Sequence, residues 1–194
     1  MDIDELLKRY AAGERDFSRI DLGKANLYRA NLSEINLAEA NLANADLSRA
    51  NLFRANLRGA NLSYASLTAV NLTGANLSEA NLSHANLIVA ELCKANLTHT
   101  KLITARLWKA NLNGANLSQA KVNHADMGLT DLVGAILIET HLREVDLSGA
   151  NLITANLKKA DLRQANLLGA NLWKANLEGT NLSGATMADG IIHP

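Results

Sequence analysis

Serine, histidine and cysteine are the side chains through which a chain of this size could act as a nucleophile, a base or a metal ligand, and all three are present. Ser48, Ser63, Ser78, Ser83 and Ser118 are separated by multiples of five residues. A hydroxyl becomes a nucleophile only beside a positioned base, and no histidine keeps a fixed offset from these serines. The five histidines (His84, His99, His124, His141 and His193) show neither the i, i+4 spacing of a helical metal site nor clustering with the single cysteine, Cys93. His141 and Glu144 lie three residues apart, a pairing that needs a helix to converge. Glycines follow the same period of five, so none forms a phosphate-cradling loop. No catalytic residue, cofactor or metal is expected.

The element that positions these residues is a five-residue unit, Ala-Asn-Leu-x-x, repeated thirty-five times from Phe17 to Met187 without insertion or deletion. With the central residue called i, Leu occupies i in 31 of 35 units, and Phe17, Val122, Met127 and Met187 keep the others apolar. Position i−1 is Asn or Asp in 27 units. Ala dominates i−2, relieved by Ile35, Val70, Thr100, Thr130, Thr140, Val145 and Thr180. In an α-helix five residues advance about 500°, so the leucines would spiral away from any single stripe. In a straight strand an odd step would send them to alternate faces. Both conflicts vanish if each unit is a three-residue strand, with i−2 and i inward and i−1 outward, followed by a two-residue corner. The chain then winds. Eight of the twelve glycines (Gly59, Gly74, Gly114, Gly134, Gly149, Gly169, Gly179 and Gly184) occupy i+2, as a type II turn favours. Arg, Lys and Glu at the same position predict that some corners use another turn type.

Residues 2 to 12 read as an amphipathic helix, since Ile3, Leu6, Leu7 and Tyr10 fall at i, i+3, i+4 and i+7. Asp2 is the expected N-cap and Gly13 the left-handed stop. The expected organisation is a single domain: a capping helix over 1–14 and a repeat solenoid over 15–194. After Met187 the ending Gly190-Ile191-Ile192-His193-Pro194 offers no second helix, so two outcomes stand: an open last coil inviting end-to-end self-association, or a tail folded over that end.

Units such as Ala25-Asn26-Leu27 and Ala150-Asn151-Leu152 resemble the pentapeptide-repeat family, and in particular its short cyanobacterial all-repeat members. The resemblance covers about nine tenths of the chain. It implies an all-β solenoid, a right-handed quadrilateral β-helix with four units and twenty residues per coil. Thirty-six units, counting Ile192, would make about nine coils. For most such proteins no activity is assigned, and the implied role is a non-catalytic protein-interaction or scaffold module. The same family contains DNA-mimicking inhibitors or protectors of DNA gyrase, which resemble acidic dimeric rods, often with Phe at i. An enzyme with a site assembled across coils is a third alternative.

Charge and surface discriminate among these. Lys plus Arg equals Asp plus Glu at 19 each, which supplies no global field for nucleic acid or membrane, nor the acidity of a polyanion mimic. Neither a secretory leader nor a long apolar run is visible, so a cytoplasmic location is the expectation. An outward basic girdle runs over Arg19, Lys24, Arg29, Arg49, Arg54 and Arg58, interrupted by Glu34 and Glu39. Lys101, Arg106 and Lys121 replace the usual Asn mid-chain, and Asp126, one coil below Arg106, suggests cross-strand ion pairs. Sorting the corner residues by a period of twenty puts Tyr28, Ile88, Val89, Trp108, Leu129 and Leu168 on one face. Phe53, Cys93, Val133, Ile153 and Trp173 fall on the adjacent one, whereas the other two show only Tyr64, Ile103 and Ile138. Clustered outward aromatics mark interaction sites. The candidate partner face is therefore Tyr28, Phe53, Ile88, Val89, Trp108, Leu129, Val133, Ile153, Leu168 and Trp173, with a protein as partner and neither nucleic acid nor membrane.

Overall fold

A computed structural model describes residues 2–194; Met1, with which the expected cap begins, lies outside the described residues. One unit shows how the rest is built. The N–H of Leu27 donates to Asp46 O (2.7 Å) and that of Arg29 to Ser48 O (3.0 Å), both one coil on, while the N–H of Asp46 returns a bond to Ala25 O (2.9 Å). The N–H of Ala30 closes the corner on Leu27 O (3.0 Å). The remaining donor, the N–H of Tyr28, goes to Asn26 Oδ1 at 3.1 Å. In interior units with Asn or Asp at i−1 every N–H therefore has an acceptor, which is how five residues without a conventional strand bury their backbone. Position i−1 is Asn or Asp because only a short side chain bearing an acceptor closes this Asx turn. Where His141 occupies it, Asn123 of the preceding coil takes over, accepting from Arg143 N–H at 3.0 Å.

Each parallel bridge joins residues twenty apart, from Asp16–Asn36 to Asn166–Thr186, so the coil has four units and the chain forms a right-handed quadrilateral β-helix. We number its faces by their first leucine-position residues: face 1 from Phe17, face 2 from Leu22, face 3 from Leu27 and face 4 from Leu32. Inside, the mid-rod leucines are fully buried, and Ala at i−2 leaves them room. Thr100, Thr130 and Thr140 are buried there too, their hydroxyls donating to the carbonyls of Leu97, Met127 and Leu117 at 2.7, 2.7 and 2.9 Å.

The corners differ from the expectation of mixed turn types. Position i+2 has positive φ in every unit from Arg19 to Gly184, with 26 non-glycine residues held between 50° and 63°. Arg, Lys and Glu adopt the left-handed region because the i+2 N–H bond to the next coil and the corner bond together over-determine it. The cost is about 1 kcal/mol or more per residue.

Helix α1 spans Ile3–Ala11 and closes the first coil. Leu6 is fully buried and Ile3 and Tyr10 pack against the core, but Leu7, expected in the same stripe, is 37% exposed. Asp2 holds the N-cap position without a side-chain capping bond. Gly13, at φ 99°, ends the helix, and Tyr10 Oη ties it to Ser33 O at 2.9 Å.

At the far end the count of thirty-six units is corrected to thirty-five. Asp189 is not left-handed but Gly190 is (φ 86°), and Ile192 pairs antiparallel with Thr186 instead of extending the parallel ladder. Met187 and Gly184 N–H groups bond to Ile191 O and His193 O (2.8 and 2.9 Å), so the tail covers the side of face 3 only. Leu172, Leu177 and Leu182 remain half-buried and their N–H groups find no backbone acceptor among the described residues.

Candidate functional site

Because i+1 and i+2 form the corners, the two apolar sets that a period of twenty assigns to adjacent faces lie along the two edges of a single one, face 4. Tyr28, Ile88, Val89, Trp108, Leu129 and Leu168 line the edge shared with face 3; Phe53, Cys93, Val133, Ile153 and Trp173 line the edge shared with face 1. Between them runs a flat midline. Asn51 and Asn71 donate to Asn31 and Asn51 one coil back at 2.9 and 3.2 Å. Glu91 accepts from Asn111 at 2.8 Å, and Asp131 from Asn113 and Asn151 at 2.7 and 3.2 Å.

The two edges are not equally prominent. Trp173, Leu168, Leu129, Tyr28, Val89 and Trp108 are exposed, whereas Phe53, Ile88, Cys93, Val133 and Ile153 are half-buried between neighbouring coils. Trp108 lies along the rod over Gly128, where an added Cβ would meet its Cδ1 at 3.3 Å. Leu129 lies likewise over Gly149, whose added Cβ would sit 2.6 Å from Leu129 Cδ2. These glycines seat the apolar side chains and fix their direction. Ile136 replaces the outward Asn on face 1 and is 36% exposed; it stands at i−1, where corner periodicity gives no signal for it.

A second feature of face 4 appears only when aromatic and charged residues are taken together. Each outward aromatic on its edges is followed by a cation that sits over its ring: Arg29 on Tyr28 at 5.2 Å, Arg54 on Phe53 at 5.0 Å, Lys109 on Trp108 and Lys174 on Trp173 at 4.3 Å. Arg49 and Lys94 complete the row. None of these six has a carboxylate partner within ion-pair distance among the described residues.

The opposite side of the rod is arranged otherwise. Ion pairs of the repeat region lie along the edges of face 2 and on the corners leading to it: Arg19–Glu39 (2.9 Å), Arg58–Glu79 (2.9 Å), Lys158–Glu178 (2.8 Å), Lys159–Glu139 (3.9 Å) and Arg163–Asp161 (2.7 Å). Hydrogen bonding to Arg163 holds the Asp161 carboxyl below the usual carboxylate range, and Arg19 and Lys158 do the same for Glu39 and Glu178. The expected girdle is thus divided, Arg19 and Arg58 being paired while Arg29 and Arg54 stack on rings. The cross-strand pairs expected of Lys101, Arg106 and Lys121 do not form among the described residues. Asp126 accepts instead from its own corner, Gly128 N–H at 3.2 Å.

Chemistry-bearing residues of this side are likewise tied to one another. His84 stacks on Tyr64 (4.5 Å between centroids) and bonds Thr104 Oγ1 at 2.6 Å through Nδ1. His124 Nδ1 and Arg143 Nε hold Glu144 at 3.3 and 3.2 Å, so Glu144 does not converge with His141. His141 lines a shallow groove of about 500 Å³ with His99, Gln119, Glu139, Thr140, Lys159 and Asp161. No group of three or more His, Cys, Asp or Glu among the described residues could hold a metal ion, and no helix there is long and apolar enough to cross a membrane.

The family model for pentapeptide repeats matches this chain in overlapping copies between residues 16 and 184. Among solved structures, the chain is similar to HetL, a pentapeptide repeat protein involved in heterocyst differentiation regulation from the cyanobacterium Nostoc sp. strain PCC 7120, at 35% identity over 100% of both chains with a TM-score of 0.69. A second pentapeptide repeat protein of Nostoc PCC 7120 shares 42% identity over 41% of this chain and 66% of its own, with a TM-score of 0.41. QnrB1, a plasmid-mediated fluoroquinolone resistance protein, shares the fold at 13% identity, covering 86% of this chain and 88% of its own with a TM-score of 0.53. No curated protein matches significantly.

Proposed function

This chain belongs to the pentapeptide-repeat family, and on that premise we propose that it is a non-catalytic interaction module with a regulatory role, binding a protein partner across face 4. The observation that carries the reading is the concentration of outward aromatics, Trp108 and Trp173 included, on the two edges of one face, with Trp108 and Leu129 seated on glycines. Rigid aromatic anchors lose little entropy on binding and dominate interface energetics. HetL, similar over its whole length, is a protein of differentiation control and supports a regulatory module over a structural one.

The test is capture of partners from a lysate of the native host by the wild-type rod, by Trp108→Ala/Trp173→Ala, and by Lys101→Ala/Lys121→Ala on face 2. A partner retained by wild type and the face 2 variant but lost by the tryptophan variant supports the reading. Equal retention by all three removes it. A gyrase-directed DNA mimic fits this surface less well, because the six unpaired cations on the edges of face 4 outnumber its carboxylates Glu34, Glu91 and Asp131, the reverse of a phosphate track. A supercoiling assay with the protein added checks that reading directly. Self-association through the last coil is a separate proposal, supported by the half-covered Leu172, Leu177 and Leu182. Sedimentation equilibrium showing a dimer that Leu177→Glu dissociates would support it, and a monomer throughout would end it.

A further inference from the structure

The net charge of zero conceals a sidedness. Around face 2, Arg19, Arg58, Lys158, Lys159 and Arg163 are neutralised by carboxylates of the same or a neighbouring coil. Around face 4 the cations form no ion pair among the described residues and four of them rest on aromatic rings. Arg54 even has Glu34 one coil away in its own column, yet it lies over Phe53 and forms no ion pair with that carboxylate, whereas face 2 pairs such neighbours repeatedly. Cations held over rings are oriented and keep most of their charge available to a partner.

We infer that face 4 takes an acidic, apolar-rich protein segment lying along the rod, its carboxylates held at the edges by Lys109, Lys174, Arg29 and Arg54 and its apolar side chains laid against the rings beside them. This rests on the protein-partner reading above and specifies the chemistry of that partner. Three features favour it over other anionic ligands. Six cations and one carboxylate, Glu34, line the edges while Glu91 and Asp131 lie on the midline, so a continuous phosphate backbone tracking the face would meet two carboxylates, whereas a peptide can place its neutral backbone there. Apolar residues (Val89, Leu129, Ile153) are interspersed with the cations along both edges, which suits mixed side chains. A membrane surface needs a continuous band of projecting apolar side chains, whereas Trp108 lies along the rod over Gly128 and the exposed Leu168 and Trp173 stand on opposite edges with the polar midline between them. Charge complementarity of this kind governs partner choice and association rate.

The inference is tested with the intact protein and defined probes: a random copolymer of glutamate and tyrosine, polyglutamate, single-stranded oligothymidylate, and phosphatidylcholine vesicles containing phosphatidylserine. Binding is measured for wild type, for Lys109→Glu/Lys174→Glu, and for Lys101→Glu/Lys121→Glu, which makes the same change in net charge on face 2. Melting curves verify that each variant is folded. The expected result is binding of the glutamate–tyrosine copolymer above all other probes, weakened by salt and by roughly tenfold or more in the face 4 variant, with little change in the face 2 variant. Equal losses in both variants, tighter binding of oligothymidylate or vesicles, or no binding of the copolymer overturns it. If the native partner depends on Trp108 and Trp173 but is indifferent to Lys109→Glu/Lys174→Glu, the acidic segment is refuted while the protein-partner reading stands.

Discussion

Thr154 and its neighbour Ile153 form one corner of face 4, and they should respond to the same substitution with opposite signs. Thr154 stands at i+2 with φ 56°, a β-branched residue in the left-handed region, exposed, its hydroxyl donating to its own Ile153 carbonyl at 2.7 Å and its N–H to Trp173 O at 3.0 Å. Thr154→Gly relieves about 1–2 kcal/mol of backbone strain and gives back about 0.4–1 kcal/mol through the freer unfolded chain, a net stabilisation of about 0.5–1 kcal/mol. Ile153, at i+1, has no positive φ and is half-buried. Ile153→Gly loses about 0.5–1 kcal/mol in chain entropy and about 1 kcal/mol of apolar burial, with nothing relieved. The two variants should therefore differ by about 2–3 kcal/mol. Denaturant titration followed by far-UV circular dichroism measures this, and for a chain of this size each kcal/mol moves the melting temperature by about 2–4 °C. Destabilisation of equal size by both substitutions would show that i+2 is not the left-handed corner residue, and the coil geometry argued above would be wrong.

Leu107 is fully buried mid-rod, so Leu107→Ala should cost about 3–5 kcal/mol and Leu107→Asp should abolish folding; an unchanged melting temperature in either refutes the inward assignment. Trp108→Ala with Trp173→Ala should cost no more than about 2 kcal/mol together and leave the circular dichroism spectrum intact. In a Trp173→Ala background, Gly128→Ala should change the fluorescence of Trp108 by pushing its ring a few tenths of an ångström from the backbone, whereas an unaltered spectrum would mean the indole does not lie there. Asp161, Glu39 and Glu178 have carboxyl pKa values lowered by Arg163, Arg19 and Lys158. Their contribution is present above the ordinary carboxylate range and lost as pH falls through and below it, so melting temperature should drop between about pH 6 and about pH 3. Asp161→Asn should flatten that drop, and an unchanged slope would show the pair to be idle.

The winding and the inward pair were legible because a period of five is incompatible with every regular element, and Leu at i with Ala at i−2 marks the interior. The turn type at the corners was not. Arg19, Glu39 and Lys94 have no preference for positive φ, and only the hydrogen bonds between coils impose it. The role of Asn at i−1 was open to reading, since an Asx turn needs an acceptor two residues before the N–H it caps, as Asn26 stands before Tyr28. The aromatic–cation succession Tyr28-Arg29, Phe53-Arg54, Trp108-Lys109 and Trp173-Lys174 was likewise on view. Its significance lies in the pairing, which neither the aromatic nor the basic residues show when taken alone. The segregation of ion pairs to the far side depends on which long side chains meet across coils, and no sequence period encodes that. Arg106 and Asp126 show the limit: they share a column, yet Asp126 caps its own corner and no ion pair joins them.

The central claim is that the partner lies on face 4, and site-specific photocrosslinking tests it most directly. A benzophenone-bearing residue is placed in turn at Lys94, on an edge of face 4, and at Lys101, on face 2, with the protein in its native host. The account predicts one crosslinked partner band from position 94 and none from position 101. A partner trapped from position 101 alone, or equally from both, would contradict it.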